Sequence, residues 1–180
     1  MSEELNELKK HAEHAKENPA LAPVSVTMAI LAVLVAVVTL LGHRAHTEEV
    51  VLQAKSSDQW AYYQAKNIRR HEDEIFSDLT SVATTTDAAT LSKLREKYSG
   101  EASRYKDEQK EIEEKARDLE AEVGTERNRA DRYDLAEVFL EVGLVITSIT
   151  LLSGRRLFWL VGIALGIIGI VLAATGFLVH

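Results

Sequence analysis

The sequence predicts an all-α fold: three transmembrane helices and a long extramembrane antiparallel coiled-coil hairpin, continuous with the first and second spans. Two observations carry this. Apolar runs at 23–42, 135–153 and 157–179 are each about 20 residues long, enough to cross a bilayer core as a helix. Mean hydropathy is only −0.09 although 27% of residues are charged, so the charges must be segregated. Residues 44–134 hold 16 Lys+Arg and 21 Asp+Glu.

The overall net charge of −7, with both signs interspersed, argues against nucleic acid as a partner, because phosphates call for a basic face. The chain has no cysteine, which excludes disulfides, thiolate metal sites and a cysteine nucleophile.

Residues 1–22 read as a polar amphipathic segment in which Leu5, Leu8, Ala12 and Ala15 recur at helical spacing. His11 and His14 share one face near Glu7, but two ligands do not make a metal site. No metal and no cofactor is expected.

The first span reads as an uncleaved signal anchor. Its small residues Ser25, Ala29, Ala32, Ala36 and Thr39 are spaced 4, 3, 4 and 3 apart. Small side chains let helix backbones approach in lipid, where burying Leu against Leu gains little. The row is therefore expected to be a packing face.

The extramembrane segment, 43–134, has no Gly or Pro between Gly42 and Gly100. The first span is therefore expected to run straight into a long helix. Ala61, Ala65, Ile68, Ile75, Leu79 and Val82 follow heptad spacing, with Glu72 completing the row. The small polar stretch near 81–90 is the expected turn, with Thr86 or Asp87 capping the next helix. The returning seam is Leu91, Leu94, Tyr98, Ala102, Tyr105, Ile112, Ala116, Leu119, Val123, Ala130 and Tyr133. Gly100 and Gly124 are candidate bends. The two rows are expected to face each other, and the lean seams leave room for further copies of the chain.

The second span carries Gly143, Thr147, Thr150 and Gly154 in another small-residue row, and the third carries Gly162, Gly166, Gly169, Ala173 and Gly176. Gly162 to Gly166 is a GxxxG. The short turn Ser153–Arg156, with two arginines and no acid, is expected on the cytoplasmic side. That puts the N-terminus in the cytoplasm and the hairpin outside, although Arg44, Arg127, Arg129 and Arg132 weigh the other way.

Carboxylates within an apolar run are costly and face protein or water. Asp134, Glu137 and Glu141 share a face at the start of the second run. Glu137 and Glu141 are the intramembrane acidic candidates. They either pair structurally with His43, Arg44 and His46, or line a cation or proton pathway in an oligomer, or are simply solvated. Trp60, Tyr62 and Tyr63 form a compact aromatic cluster, read either as a partner surface or as packing within the hairpin. No nucleophile–base pairing or phosphate-cradling loop appears, and enzymatic activity is not expected.

The run Ser57-Asp58-Gln59-Trp60-Ala61-Tyr62-Tyr63-Gln64-Ala65-Lys66 resembles a bacterial membrane family catalogued only as a domain of unknown function. His11-Ala12-Glu13-His14-Ala15 and Phe139-Leu140-Glu141-Val142-Gly143 extend the resemblance. It implies a multi-pass protein of the bacterial inner membrane and carries over no functional residue. The expected function is a membrane-anchored structural or scaffold protein. On this reading it lies in the lipid bilayer as a homo-oligomer and holds a protein partner through the hairpin. The alternative is an oligomeric cation channel or transporter subunit using Glu137 and Glu141.

Overall fold

A computed structural model of the chain describes residues 21–83 and 87–178. Residues 1–20 of the amphipathic segment, with His11 and His14, and Thr86 in the turn lie outside the described residues. The protein is all-α, with three helices: α1, Ala22–Val82; α2, Ala88–Ser153; and α3, Arg156–Gly176. Each contains a stretch long and apolar enough to cross a membrane. α2 continues through Gly100 and Gly124.

The helices form two compact units, one taking in the described residues up to Glu48 and from Thr125 onward, the other Glu49–Gly124. In the first unit, α2 and α3 pack antiparallel with backbones in near contact. The connection is short because Gly154 adopts φ +65 and its amide donates to the Thr150 carbonyl at 2.9 Å. A left-handed residue just past a helix end is the conformation glycine takes without penalty. Gly154 thus lies outside the helix rather than completing the packing row of the second run.

The buried residues of α3 are Gly162, Gly166, Gly169, Ala173 and Gly176. A Cβ at Gly162 would lie 2.0 Å from the Thr147 hydroxyl oxygen and 2.8 Å from the Gly143 carbonyl oxygen. At Gly169 it would meet Leu140, and at Gly176 the Tyr133 ring. Gly143, Thr147 and Thr150 are buried against this surface. Thr147 turns its hydroxyl back to the Gly143 carbonyl at 2.7 Å, satisfying it locally.

α1 fits the bundle differently from the sequence expectation. The row Ser25, Ala29, Ala32, Ala36 and Thr39 is not the face turned inward, since Ala29 and Ala36 are exposed and the other three half-buried. The inward face is Val24, Met28, Leu31, Val38 and Ala45. The reason is complementarity of size. At Gly166 α3 leaves room for a large side chain of α1, and a Leu31 methyl lies 2.7 Å from where a Gly166 Cβ would stand. The Trp159 indole N–H donates to the Thr27 hydroxyl at 3.0 Å, tying α3 to α1.

In the second unit the α1 and α2 segments run antiparallel. Trp60 pairs with Glu120, Lys66 with Glu108, and Phe76 stacks on Tyr98. Asp87 caps α2, accepting from the Thr90 amide at 3.0 Å and hydroxyl at 2.5 Å. These bonds, the hydroxyl's foremost, hold its carboxyl below the usual carboxylate range.

On α2, Ala102, Ile112, Ala116 and Val123 of the expected seam are buried. The expected α1 seam is not the face that meets them. Ala61 and Ala65 are exposed, as are Ile68 at 60%, Ile75 at 58%, Leu79 at 54% and Val82 at 76%. The face turned to α2 holds buried Leu52 and Ser56, then half-buried Gln59, Tyr63, Lys66 and Arg70.

Lys66 explains how this polar face packs. Its ammonium lies 4.9 Å from the Tyr105 ring centre and 5.4 Å from that of Tyr62, and reaches Glu108 at 2.6 Å. Cation–π attraction and an ion pair replace apolar contact there, while the aliphatic stem covers the helix surface.

Candidate functional site

The acidic face of α2 sits in the first unit, against the stretch of α1 from Thr39 to Glu48. Glu137 is half-buried, and one of its carboxylate oxygens lies 2.6 Å from the Thr39 hydroxyl. That distance is typical of a hydroxyl on a carboxylate. The same hydroxyl is 2.9 Å from the Val35 carbonyl, so its single hydrogen is shared between two acceptors.

Three residues along the chain, Asp134 meets the His46 Nε2 at 3.0 Å. A Cβ at Gly42 would be 3.3 Å from the other Asp134 oxygen, so the missing side chain admits the carboxylate. Glu141 is exposed and its side chain has no hydrogen bond or ion pair among the described residues.

The expected pairing therefore shifts. Among the described residues, of His43, Arg44 and His46 only His46 meets an acid, and that acid is Asp134 rather than Glu137 or Glu141. His43 is exposed, its carbonyl accepting from Thr47 at 2.7 Å. Arg44 lines a separate groove of about 420 Å³ with Leu41, Glu48, Glu126, Arg129 and Tyr133. Burial raises the Tyr133 phenol above its ordinary range. Thr39, read from the sequence as a packing residue, is the partner of Glu137. Its hydroxyl was the available signal.

Trp60, Tyr62 and Tyr63 lie in the second unit. Trp60 and Tyr63 meet edge to face at 5.6 Å between ring centres, and the indole N–H donates to Glu120 at 2.9 Å. Both are half-buried. Tyr62 is 50% exposed and borders a shallow groove with Glu108, Glu111 and Lys115. The Glu108 carboxyl is held below the usual range chiefly by its hydrogen bond from Lys66, and the Lys66 ammonium is correspondingly raised. Among the described residues, no three His, Cys, Asp or Glu side chains converge as a metal site.

A carboxylate on a hydroxyl, a carboxylate on an imidazole and a partnerless carboxylate can hold protons or cations. They offer no activated nucleophile. The family described as "Domain of unknown function (DUF4337)" matches residues 20–179. The chain belongs to this DUF4337 family. The matched stretch contains all three helices and every candidate residue from Ser25 to Gly176. No curated protein and no solved structure matches the chain.

Proposed function

We propose that this chain is a membrane-anchored structural protein that self-associates and displays a helical hairpin as a scaffold for a protein partner. In this reading 23–42, 135–153 and 157–179 span the bilayer of a bacterial inner membrane, and 43–134 is an extramembrane coiled-coil hairpin. The arginines of the Ser153–Arg156 turn favour a cytoplasmic N-terminus and a hairpin outside.

The observation that carries self-association is the outward face of α1. Ala61, Ala65, Ile68, Glu72, Ile75, Leu79 and Val82 repeat at the coiled-coil interval, and all are exposed. A seam of this spacing fits another helix. A second copy is the partner that fits best, because copies anchored in one membrane by the same helix point the same way. Each residue of the seam then meets its own counterpart. Tyr62 and the charges around it are the surface offered to a different protein.

The test is the mass of the purified protein in mild detergent by light scattering with the micelle subtracted. Wild type is expected as a defined oligomer, and Ile75→Glu with Leu79→Glu as a smaller species with unchanged helicity. A monomeric wild type would remove the reading.

A second reading, an oligomeric cation channel or transporter subunit using Glu137 and Glu141, rests on the partnerless Glu141 within an apolar run. It requires cation flux in liposomes that Glu141→Gln changes while assembly survives.

A further inference from the structure

The groove at the end of the apolar bundle combines features that the scaffold reading leaves unused. Its polar wall on α1 is Arg44 and Glu48, one helical turn apart. Neither side chain has an ion pair or hydrogen bond among the described residues. On α2, Tyr133 packs its ring against Gly176 and edge to face on Phe177, at 5.9 Å between ring centres. Its hydroxyl likewise has no hydrogen-bond partner among the described residues. The remaining charges on the wall, Glu126 and Arg129, are ion-paired to each other. Leu41 and Phe177 make the groove apolar on one side, and its volume is about 420 Å³.

The groove therefore presents one uncommitted cation, one uncommitted anion and one hydroxyl, beside an apolar wall. An anionic ligand would use Arg44 and Tyr133 but would face Glu48. A ligand carrying a phosphate and an ammonium a few atoms apart satisfies all three.

We propose that this groove binds the head of a phosphoethanolamine phospholipid, an inference that rests on the membrane-spanning reading above. Arg44 and the Tyr133 hydroxyl donate to the phosphate, Glu48 accepts from the primary ammonium, and the first acyl carbons lie on Leu41 and Phe177. Guanidinium is suited to phosphate by its forked donors. Carboxylate recognition of a primary ammonium uses N–H donors that a quaternary choline lacks, so the site discriminates between these two lipids.

The test uses the full chain in lipid-free detergent, titrated separately with phosphatidylethanolamine, phosphatidylcholine, phosphatidylglycerol and soluble phosphoethanolamine, with thermal shift and native mass spectrometry as readouts. Phosphatidylethanolamine is expected to bind most tightly. Arg44→Gln should weaken all phospholipid binding by about tenfold, the loss expected for one charge-assisted hydrogen bond. Glu48→Gln should abolish the preference for ethanolamine over choline while leaving phosphate-dependent binding. Both residues are exposed, and unchanged helicity of the variants keeps the comparison valid.

Equal response to ethanolamine and choline lipids, tighter binding of phosphatidylglycerol, or indifference to both substitutions would overturn the proposal. A full response to soluble phosphoethanolamine alone would overturn its lipid part. An alkaline carbonate wash of membranes tests the underlying reading separately. Release of the protein would remove the membrane span, whereas retention without lipid preference removes only the groove.

Discussion

The Thr39 hydroxyl lies 2.6 Å from a carboxylate oxygen of Glu137, joining α1 and α2 within apolar sequence. A carboxylate there is tolerated because a donor is fixed beside it. Thr39→Val keeps the shape and deletes the donor. It is expected to lower stability in detergent by roughly 1–2 kcal/mol. Glu137→Gln keeps an acceptor for the hydroxyl and should cost less. Thermal unfolding of the two variants checks the order, and equal stability of Thr39→Val and wild type would show that the contact contributes nothing.

Glu141 makes a contrasting case. Exposed and partnerless among the described residues, it has no contact to lose, so Glu141→Gln should leave unfolding unchanged to within about 0.5 kcal/mol. A larger loss would mean that a second copy or a bound ion holds the carboxylate.

The glycines should respond to alanine according to what a Cβ would meet. At Gly162 the obstacles include the Gly143 carbonyl at 2.8 Å, and backbone cannot move aside cheaply. Gly162→Ala is expected to cost about 1–3 kcal/mol. At Gly166 the obstacle is the end of the Leu31 side chain, which can rotate, so the loss should be smaller. Gly100 has nothing within 4 Å, and Gly100→Ala in the solvated helix should gain about 0.5–1 kcal/mol. Denaturation of the three variants ranks them. A loss at Gly162 no larger than that at Gly100 would contradict the close packing of α2 on α3.

These contrasts mark what the sequence could convey. The α3 row was legible because five small residues at helical spacing leave a flat strip that only a close neighbour can use. α1 was ambiguous. Its small row and its inward row, Val24, Met28, Leu31 and Val38, lie one residue apart in an apolar helix, and the choice falls to whichever partner supplies the glycines. In the second unit the heptad row of α1 was visible, but the face that meets α2 was not, because that face holds Gln59, Tyr63, Lys66 and Arg70. The packing role of Lys66 was hidden because its two tyrosines and Glu108 converge only in three dimensions. The Glu137 partner was hidden for a related reason, as threonine in an apolar run serves equally as a small spacer or a donor.

The Lys66–Glu108 pair should make the second unit sensitive to pH at both extremes. Glu108 is held below the usual carboxylate range, so its contribution is present above about pH 4.3 and is lost as pH falls through the lowered value. Lys66 is raised, so its contribution is present below about pH 10.4 and is lost as pH rises further. Between these limits the pair should be indifferent to pH. Melting curves by circular dichroism should show the acid-side loss shrink in Glu108→Gln. A transition near neutrality that survives this substitution would show that the pair does not govern the response to pH.

The outward seam of α1 allows a test without a background, since the chain has no cysteine. In a parallel, in-register pairing Ile75 of one copy faces Ile75 of the next, so Ile75→Cys should cross-link to itself in membranes under mild oxidation. Asp107→Cys, at an exposed position on α2, should not. The same geometry brings Glu72 side chains together in one layer, where like charges destabilise and a polar layer fixes register. Glu72→Leu should therefore tighten association, raising the oligomer fraction at low protein concentration, and should permit cross-links at shifted registers. If Ile75→Cys stays monomeric while Asp107→Cys links, the copies meet through α2, and the apolar row of α1 belongs to a different partner.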